Sequence, residues 1–282
     1  MTTELQTTCG VAVRSSAGLG RIVCGDNTKV LSGFPDACID LVVTSPPYDD
    51  LRAYGGHSWN FETLAAQLVR VLKTGGVIVW VVADQMVSGS ETGNAMRQAL
   101  RMMELGLRLH DTMIYEKLNG AMGSDRHYLA CWEYMFVLSN GAPKTVNLLR
   151  DRKNVRSGKE SALRHGRKKN GDTAERKVVE LAEYGRRKNI WAYAVGGEQE
   201  AGDHPAPFPE SLAKDHIASW SNAGDVVLDP FSGSGTTCKA AKELNRQWCG
   251  IEINPEYCAI AEARLSQDVL QLETCAMRPT QN

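Results

Sequence analysis

Asp225-Val226-Val227-Leu228-Asp229-Pro230-Phe231-Ser232-Gly233-Ser234-Gly235-Thr236-Thr237 decides the fold. Residues 225–228 read as a buried strand, 236–244 as a helix, and the glycine pair between them as a turn at the strand's carboxyl end. Glycine there lets backbone approach a ligand closely. A dinucleotide fingerprint would carry a third glycine where Cys238 stands, and a phosphate-binding P-loop would carry a lysine before Thr236. The pocket therefore suits a nucleoside-like ligand without a pyrophosphate. The next strand, 248–253, ends near Glu252, a carboxylate placed to accept both hydroxyls of a ribose. Together these features fit S-adenosylmethionine.

Working outward, strand and helix signals alternate on both sides of this stretch. Residues 21–24 read as a short strand ending at Gly25-Asp26-Asn27, and 39–44 as a second strand. Apolar residues at 61, 64, 65, 68, 69 and 72 have helical spacing, and Lys73-Thr74-Gly75-Gly76 is expected to stop that helix before a strand at 77–83. Residues 92–105 read as a helix, 107–115 and 128–138 as strands, 212–220 and 255–270 as helices. Between them, 141–203 is basic, glycine-spotted and weakly periodic. The expected class is α/β, a doubly wound, mostly parallel sheet of Rossmann type carrying an inserted basic region.

Composition narrows the function. The 282 residues are 43% hydrophobic and 23% charged, ordinary for a globular protein. The longest apolar run, 77–83, suits a buried strand and is too short to span a bilayer. Met1-Thr2-Thr3-Glu4 shows no basic segment followed by an apolar one, so no secretory signal is expected. The eight cysteines form no CxxC pair or Cys/His ligand spacing, so no metal site is expected, only small thiols in a reducing compartment. The net charge of −1 hides an asymmetry: residues 144–188 hold fifteen Lys and Arg against six Asp and Glu, a local +9, leaving −10 elsewhere. A basic block on a neutral protein points to a polyanion.

The second informative stretch is Thr44-Ser45-Pro46-Pro47-Tyr48, where the 39–44 strand opens into a loop. Adjacent prolines fix φ twice and remove two donors, leaving rigidly aimed carbonyls between Ser45 and an aromatic ring. Such a site can grip a planar NH2 group while Tyr48 stacks on the ring that bears it. An exocyclic amine of a nucleobase fits. Its lone pair is delocalised, so acceptors at Ser45 Oγ and the Pro46 carbonyl would aim it at the methyl. Reaching it inside a duplex requires base flipping. Asp49 and Asp50 could assist or simply be solvated, and Asp84 could face the target pocket or cap a helix. Covalent attack on cytosine C5 is disfavoured, since no Pro-Cys dipeptide exists.

With these motifs in place, the chain resembles the beta-class, circularly permuted DNA amino-methyltransferases of the restriction–modification and phage type, in their Ser-Pro-Pro-Tyr form. The motifs fall in the family's order: Ser45–Tyr48, Leu72-Lys73-x-Gly75-Gly76, Trp132-Glu133-Tyr134, His204-Pro205-Ala206-Pro207-Phe208-Pro209, and Asp229–Gly235. The resemblance implies catalysis at Ser45, Pro46, Pro47 and Tyr48, and cofactor contacts at Asp26, Thr44, His204, Pro205, Phe208, Asp229, Phe231, Ser232, Gly233 and Glu252. For Asp26 a helix N-cap is the plain alternative, and one carboxylate can do both jobs. It also implies a catalytic half at 20–140, a target-recognition insert at 141–203 and a cofactor-binding half at 204–272. Serine before Pro-Pro is commoner in cytosine-N4 enzymes and aspartate in adenine-N6 enzymes, which tilts the expected target toward cytosine.

In the insert, Arg150, Arg152, Arg164, Arg167, Lys168 and Lys169 are the expected DNA contacts, phosphate binding dominating affinity. Asn154, His165 and Asn170 are further base readers, unranked. Trp191 and Tyr193 are expected to pack the insert onto the core rather than stack on DNA. The expected partner is double-stranded DNA, with no membrane, in a prokaryotic cytoplasm or phage-infected host; the family pattern allows a homodimer and a cognate restriction endonuclease. Rival readings are an RNA or protein-amide methyltransferase and an inactive DNA-binding module.

Overall fold

The computed structural model describes residues 19–47, 59–119, 122–124, 126–155, 160–163, 177–194 and 209–266. Eight strands form the main sheet: β1 (Arg21–Cys24), β2 (Ile39–Thr44), β3 (Leu72–Val82), β4 (Arg108–Lys117), β5 (Trp132–Ser139), β6 (Ile190–Tyr193), β7 (Val226–Asp229) and β8 (Gln247–Glu252). Their order across the sheet is β1-β8-β7-β2-β3-β5-β4-β6. Only β5 runs against the rest. The last two strands of the chain thus lie between the first two. The expected doubly wound, mostly parallel α/β sheet is what forms.

Side-chain alternation explains the two layers. Leu41, Val43, Val77, Val79 and Val81 pack against α4 (Glu210–Trp220), α5 (Thr236–Glu243) and α6 (Pro255–Ser266). Val42, Ile78, Trp80 and Val82 point the other way, onto α1 (Asn27–Ser32), α2 (Phe61–Val71) and α3 (Asn94–Glu104). Helix α2 starts where the Asn60 side chain accepts the Thr63 amide N–H at 3.0 Å, and its apolar spacing buries Leu64, Ala65, Leu68 and Val71.

Two local readings change. Lys73–Gly76 does not separate helix from strand, because β3 already begins at Leu72, paired with Ile39 across a register shift. The Lys73 amine reaches Asp40 at 2.6 Å, and Gly75, at φ 78°, takes a left-handed bend in which a Cβ would lie 2.9 Å from Lys144. The glycines therefore serve an irregular strand rather than a helix stop. The 128–138 strand also divides: His127–Ala130 pairs with Met122–Ser124, and β5 starts at Trp132.

Within 141–203 the described residues form two antiparallel pairs, Arg152–Lys153 with Tyr184–Gly185 and Glu160–Leu163 with Lys177–Glu180. Trp191 and Tyr193 lie in β6, an edge strand parallel to β4, and Trp191 is buried, so these aromatics pack on the core as expected. Among the described residues, no helix is long and apolar enough to cross a membrane.

Candidate active site at the carboxyl edge of the sheet

Because β1, β8, β7, β2 and β3 are parallel, their carboxyl ends share one edge. Neighbouring connections leave in opposite directions on either side of β7 and β2, the switch point where open α/β sheets bind ligands. The two decisive stretches of sequence meet there. Thr44, last residue of β2, donates its hydroxyl to Asp229 Oδ1 at 2.7 Å, across 185 residues of chain. Both side chains are buried.

Asp229 is held by several donors. Its Oδ1 also accepts the Phe231 amide N–H at 3.1 Å, and the Thr237 hydroxyl lies within reach of both this carboxylate and the Val43 carbonyl. Burial nevertheless dominates: it pushes the carboxyl up to about 6, against the pull of Thr44, the Phe231 amide and Thr237. The glycine loop then turns tightly. Ser232 N–H donates to the Ile251 carbonyl at 2.9 Å and Gly235 N–H to the Ser232 carbonyl at 2.8 Å, with Gly233 and Gly235 at φ 50° and 83°. A Cβ on Gly235 would stand 3.0 Å from Ala261 Cβ, so glycine serves here both for turn and for helix packing.

Glu252 closes the loop from the neighbouring strand. Its Oε2 accepts Gly233 N–H and its Oε1 accepts Asn254 N–H, each at 2.9 Å. Each oxygen keeps a second lone pair for a ligand hydroxyl. Asp26 lies beside it, since Cys24 pairs with Glu252 and Gly25 N–H donates to the Glu252 carbonyl at 2.8 Å. Asp26 caps α1 by accepting the Lys29 amide at 2.8 Å, which leaves its second oxygen for another partner. Phe231 is half-buried, its ring 5.0 Å from Trp59 and nearly perpendicular to it. A two-oxygen acceptor, a glycine cradle and an aromatic wall on one edge suit the sugar and base of a nucleoside, so these residues fit S-adenosylmethionine.

Ser45 and Pro47 are half-buried and Pro46 is buried, directly after Thr44. Tyr48, Asp49 and Asp50 lie outside the described residues, as do His204, Pro205, Phe208, Arg164, His165, Arg167, Lys168, Lys169 and Asn170. Asp84 caps α3: its Oδ1 accepts the Ala95 amide at 2.9 Å and the Thr92 hydroxyl at 3.1 Å. Arg150 and Arg152 are exposed on the insert, and Arg152 Nε donates to the Arg186 carbonyl at 3.1 Å. Among the described residues no cluster of three or more His, Cys, Asp or Glu side chains could hold a metal ion.

Three residues of the edge escape a reading of the sequence. Asn27 Nδ2 donates to the Pro230 carbonyl at 3.2 Å, tying the β1 exit to the glycine loop. Thr237 Oγ1, on α5, donates to the Val43 carbonyl at 3.3 Å, tying the glycine loop's helix to the end of β2. Gly250, inside β8, is the third: a Cβ there would stand 2.5 Å from Ser232 Oγ, 2.6 Å from Ile22 Cδ1 and 2.8 Å from Cys238 Sγ. The close helix–strand approach that a third fingerprint glycine would give from the helix is supplied here from the strand, opposite Cys238. A glycine in a buried strand was the signal available.

This edge is that of a nucleoside-dependent transferase, and comparison places it in a family. The N6_N4_Mtase profile, described as DNA methylase, matches residues 39–263. The chain is 52% identical to the orphan methyltransferase M.BamHII of Bacillus amyloliquefaciens over 83% of this chain and 91% of that one. It is 28% identical to the DNA adenine methyltransferase YhdJ of Escherichia coli K12, over 86% and 82%. Among solved structures, TTHA0409 of Thermus thermophilus complexed with S-adenosyl-L-methionine superposes with a TM-score of 0.58 at 27% identity, covering 87% of this chain and 94% of that one. The chain belongs to the N6/N4 DNA methylase family.

Proposed function

We propose that this DNA methylase, which uses S-adenosylmethionine, transfers methyl to the exocyclic N4 of cytosine at the Ser45–Tyr48 loop. The observation that carries the site is the Thr44–Asp229 hydrogen bond at 2.7 Å, which fixes the start of the amine-gripping loop against the glycine loop, and the tilt toward cytosine rests on Ser45 standing before Pro46 and Pro47. Bound there, S-adenosylmethionine supplies an electrophilic methyl on a sulfonium. Glu252 accepts the ribose hydroxyls, Asp26 the adenine amine, and Phe231, Ser232 and Gly233 line the nucleoside. His204, Pro205 and Phe208 complete the methionine side.

On the other side of the switch point, Ser45 Oγ and the Pro46 carbonyl accept the two amine hydrogens, and Pro47 holds that carbonyl's direction. Tyr48 stacks on the flipped base. Positioning and preorganised acceptors supply most of the acceleration. The methylated amine is strongly acidic and gives its proton to Ser45 or water, so no tuned base is required. We read the strand order, with β7 and β8 seated between β1 and β2, as a circular permutation of the fold. Residues 20–140 then carry the catalytic half, 204–272 the cofactor half, and 141–203 target recognition, with Arg150, Arg152, Arg164, Arg167, Lys168 and Lys169 on the DNA. A prokaryotic cytoplasm is the setting that fits a DNA substrate.

Radiolabelled methyl transfer to genomic DNA, followed by nucleoside mass spectrometry, tests this. The expected product is 4-methylcytosine. The second reading is adenine N6, favoured by the resemblance to YhdJ, and 6-methyladenine would establish it in place of cytosine. No label in any DNA would end both.

A further inference from the structure

We propose that Arg187 is a positioning residue for DNA recognition: it clamps the neck of the basic insert to the catalytic layer. This rests on the reading that the insert binds DNA. Fifteen Lys and Arg lie between 144 and 188, yet the guanidinium of Arg187 is spent on the protein itself. Nη1 donates to Asp215 of α4 at 2.5 Å, and Nε donates to Asp151 at 2.8 Å, with Nη2 on the same Asp151 oxygen. Nη1 also reaches the Tyr193 hydroxyl at 3.2 Å, and that hydroxyl donates to Asp215 at 2.6 Å.

These partners come from three places. Asp151 is on the segment entering the first hairpin of the insert, whose strands are Arg152–Lys153 and Tyr184–Gly185. Arg187 is on the segment leaving it, and its amide N–H donates to the Leu149 carbonyl at 2.9 Å, joining the two sides of the neck. Asp215 and Tyr193 belong to the core. Beneath the guanidinium lies the ring of Trp191, 4.9 Å away, itself stacked 4.6 Å from buried His216. A planar cation between two carboxylates and an aromatic face is a geometry that Arg fills and Lys cannot. Burial, with the charge of Arg187 adding, pushes His216 down to about 3, so the stack beneath is uncharged at neutral pH. The exposed Arg152, Lys153, Tyr184 and Arg186 stand directly on this neck, so its angle sets where they meet DNA.

The test compares Arg187→Met, Asp215→Asn and Arg150→Ala/Arg152→Ala by mapping methylated positions on plasmid DNA and by measuring plasmid-fragment affinity against salt. With the clamp, Arg187→Met and Asp215→Asn both lose between about ten- and a hundredfold in methylation at the wild-type motif and discriminate less against near-matching sites, as misplacement far from the chemistry does. Both keep S-adenosylmethionine affinity and the salt slope. Asp215→Asn is decisive because it loosens the clamp while removing a negative charge, a change that would otherwise strengthen attraction to DNA. If Arg187 instead touches a phosphate, only Arg187→Met weakens binding and its slope falls by about one, which overturns the clamp. Wild-type discrimination in both variants also overturns it. Failure of the underlying reading shows separately, as an unchanged salt slope in Arg150→Ala/Arg152→Ala.

Discussion

The glycine loop at 229–237 and the basic insert at 144–188, which we propose meet the cofactor and the DNA, are built in opposite ways. In the loop, Asp229, Ser232, Ser234, Thr236 and Thr237 are all buried, and Asp229 and Glu252 are held by backbone and hydroxyl donors before any ligand arrives. In the insert, Arg150, Arg152, Lys153, Arg186 and Lys188 are exposed, and Arg187 alone among the described cations there is drawn into a network with two carboxylates. A small uniform ligand rewards a preformed cradle. A long polyanion is met by solvated cations whose gain comes largely from counterion release. Substitutions should therefore register as stability in the loop and as salt dependence in the insert.

The sharpest way to break that contrast is Gly250→Val. Three atoms of the loop and its packing lie within 2.8 Å of where its Cβ would be. The expected result is a loss of about 3 kcal/mol in urea unfolding, the upper range for overpacking, together with weakened S-adenosylmethionine binding. An effect on binding alone would mean the loop shifts freely and is not preformed.

Next comes the pH dependence of Asp229. Its carboxyl is raised from 3.8 to about 6, so the folded protein holds this proton more tightly than the unfolded chain. Burial of the charge therefore costs stability that is absent below about pH 4 and is incurred as pH rises toward 6, on the order of 3 kcal/mol. In the ligand-free protein, Asp229→Asn should flatten the stability profile between pH 4 and 7. Thr44→Val, by removing a donor, should move the midpoint higher still. A profile identical to wild type in Asp229→Asn would show that the carboxylate is already compensated.

The smallest effects belong to the insert. Arg150→Ala and Arg152→Ala should change folding stability by less than about 0.5 kcal/mol, as exposed substitutions do. Each that touches a phosphate should lower the salt slope of DNA binding by about one. A stability loss without a slope change would reverse the comparison, making the insert's charges structural.

The sheet was legible in the sequence because its signals are local: apolar runs with period two, helices with period near 3.6, and glycines at turns. Asp229, Glu252 and the Thr44–Pro47 loop could likewise be placed from strand ends alone. What stayed hidden depends on pairs far apart in the chain. Asn27 gains its role from Pro230, Thr237 from Val43 and Gly250 from Cys238, and no local pattern encodes those meetings. Asp84 carried two readings because a strand-end carboxylate serves a pocket or a helix equally well, and only the fold shows that it caps α3 through the Ala95 amide. The same holds for Arg187, which composition counts with the DNA-facing cations although Asp151 and Asp215 enclose it.

The seating of β7 and β8 between β1 and β2 also has a consequence for synthesis. Until residues 226–252 leave the ribosome, β2 is an apolar edge strand with no neighbour on one side, and β1 has no partner in the sheet. At about 5–20 residues per second, that open edge persists for roughly ten to forty seconds after β2 itself is made. Exposed, flat, apolar edges template aggregation. The middle of the sheet is thus completed last, and a chain cut short before β7 lacks the strand that seals it. Only a product that extends past Asp229 can both hide that edge and form the bond between Thr44 and Asp229, so sealing of the sheet and assembly of the site become a single event.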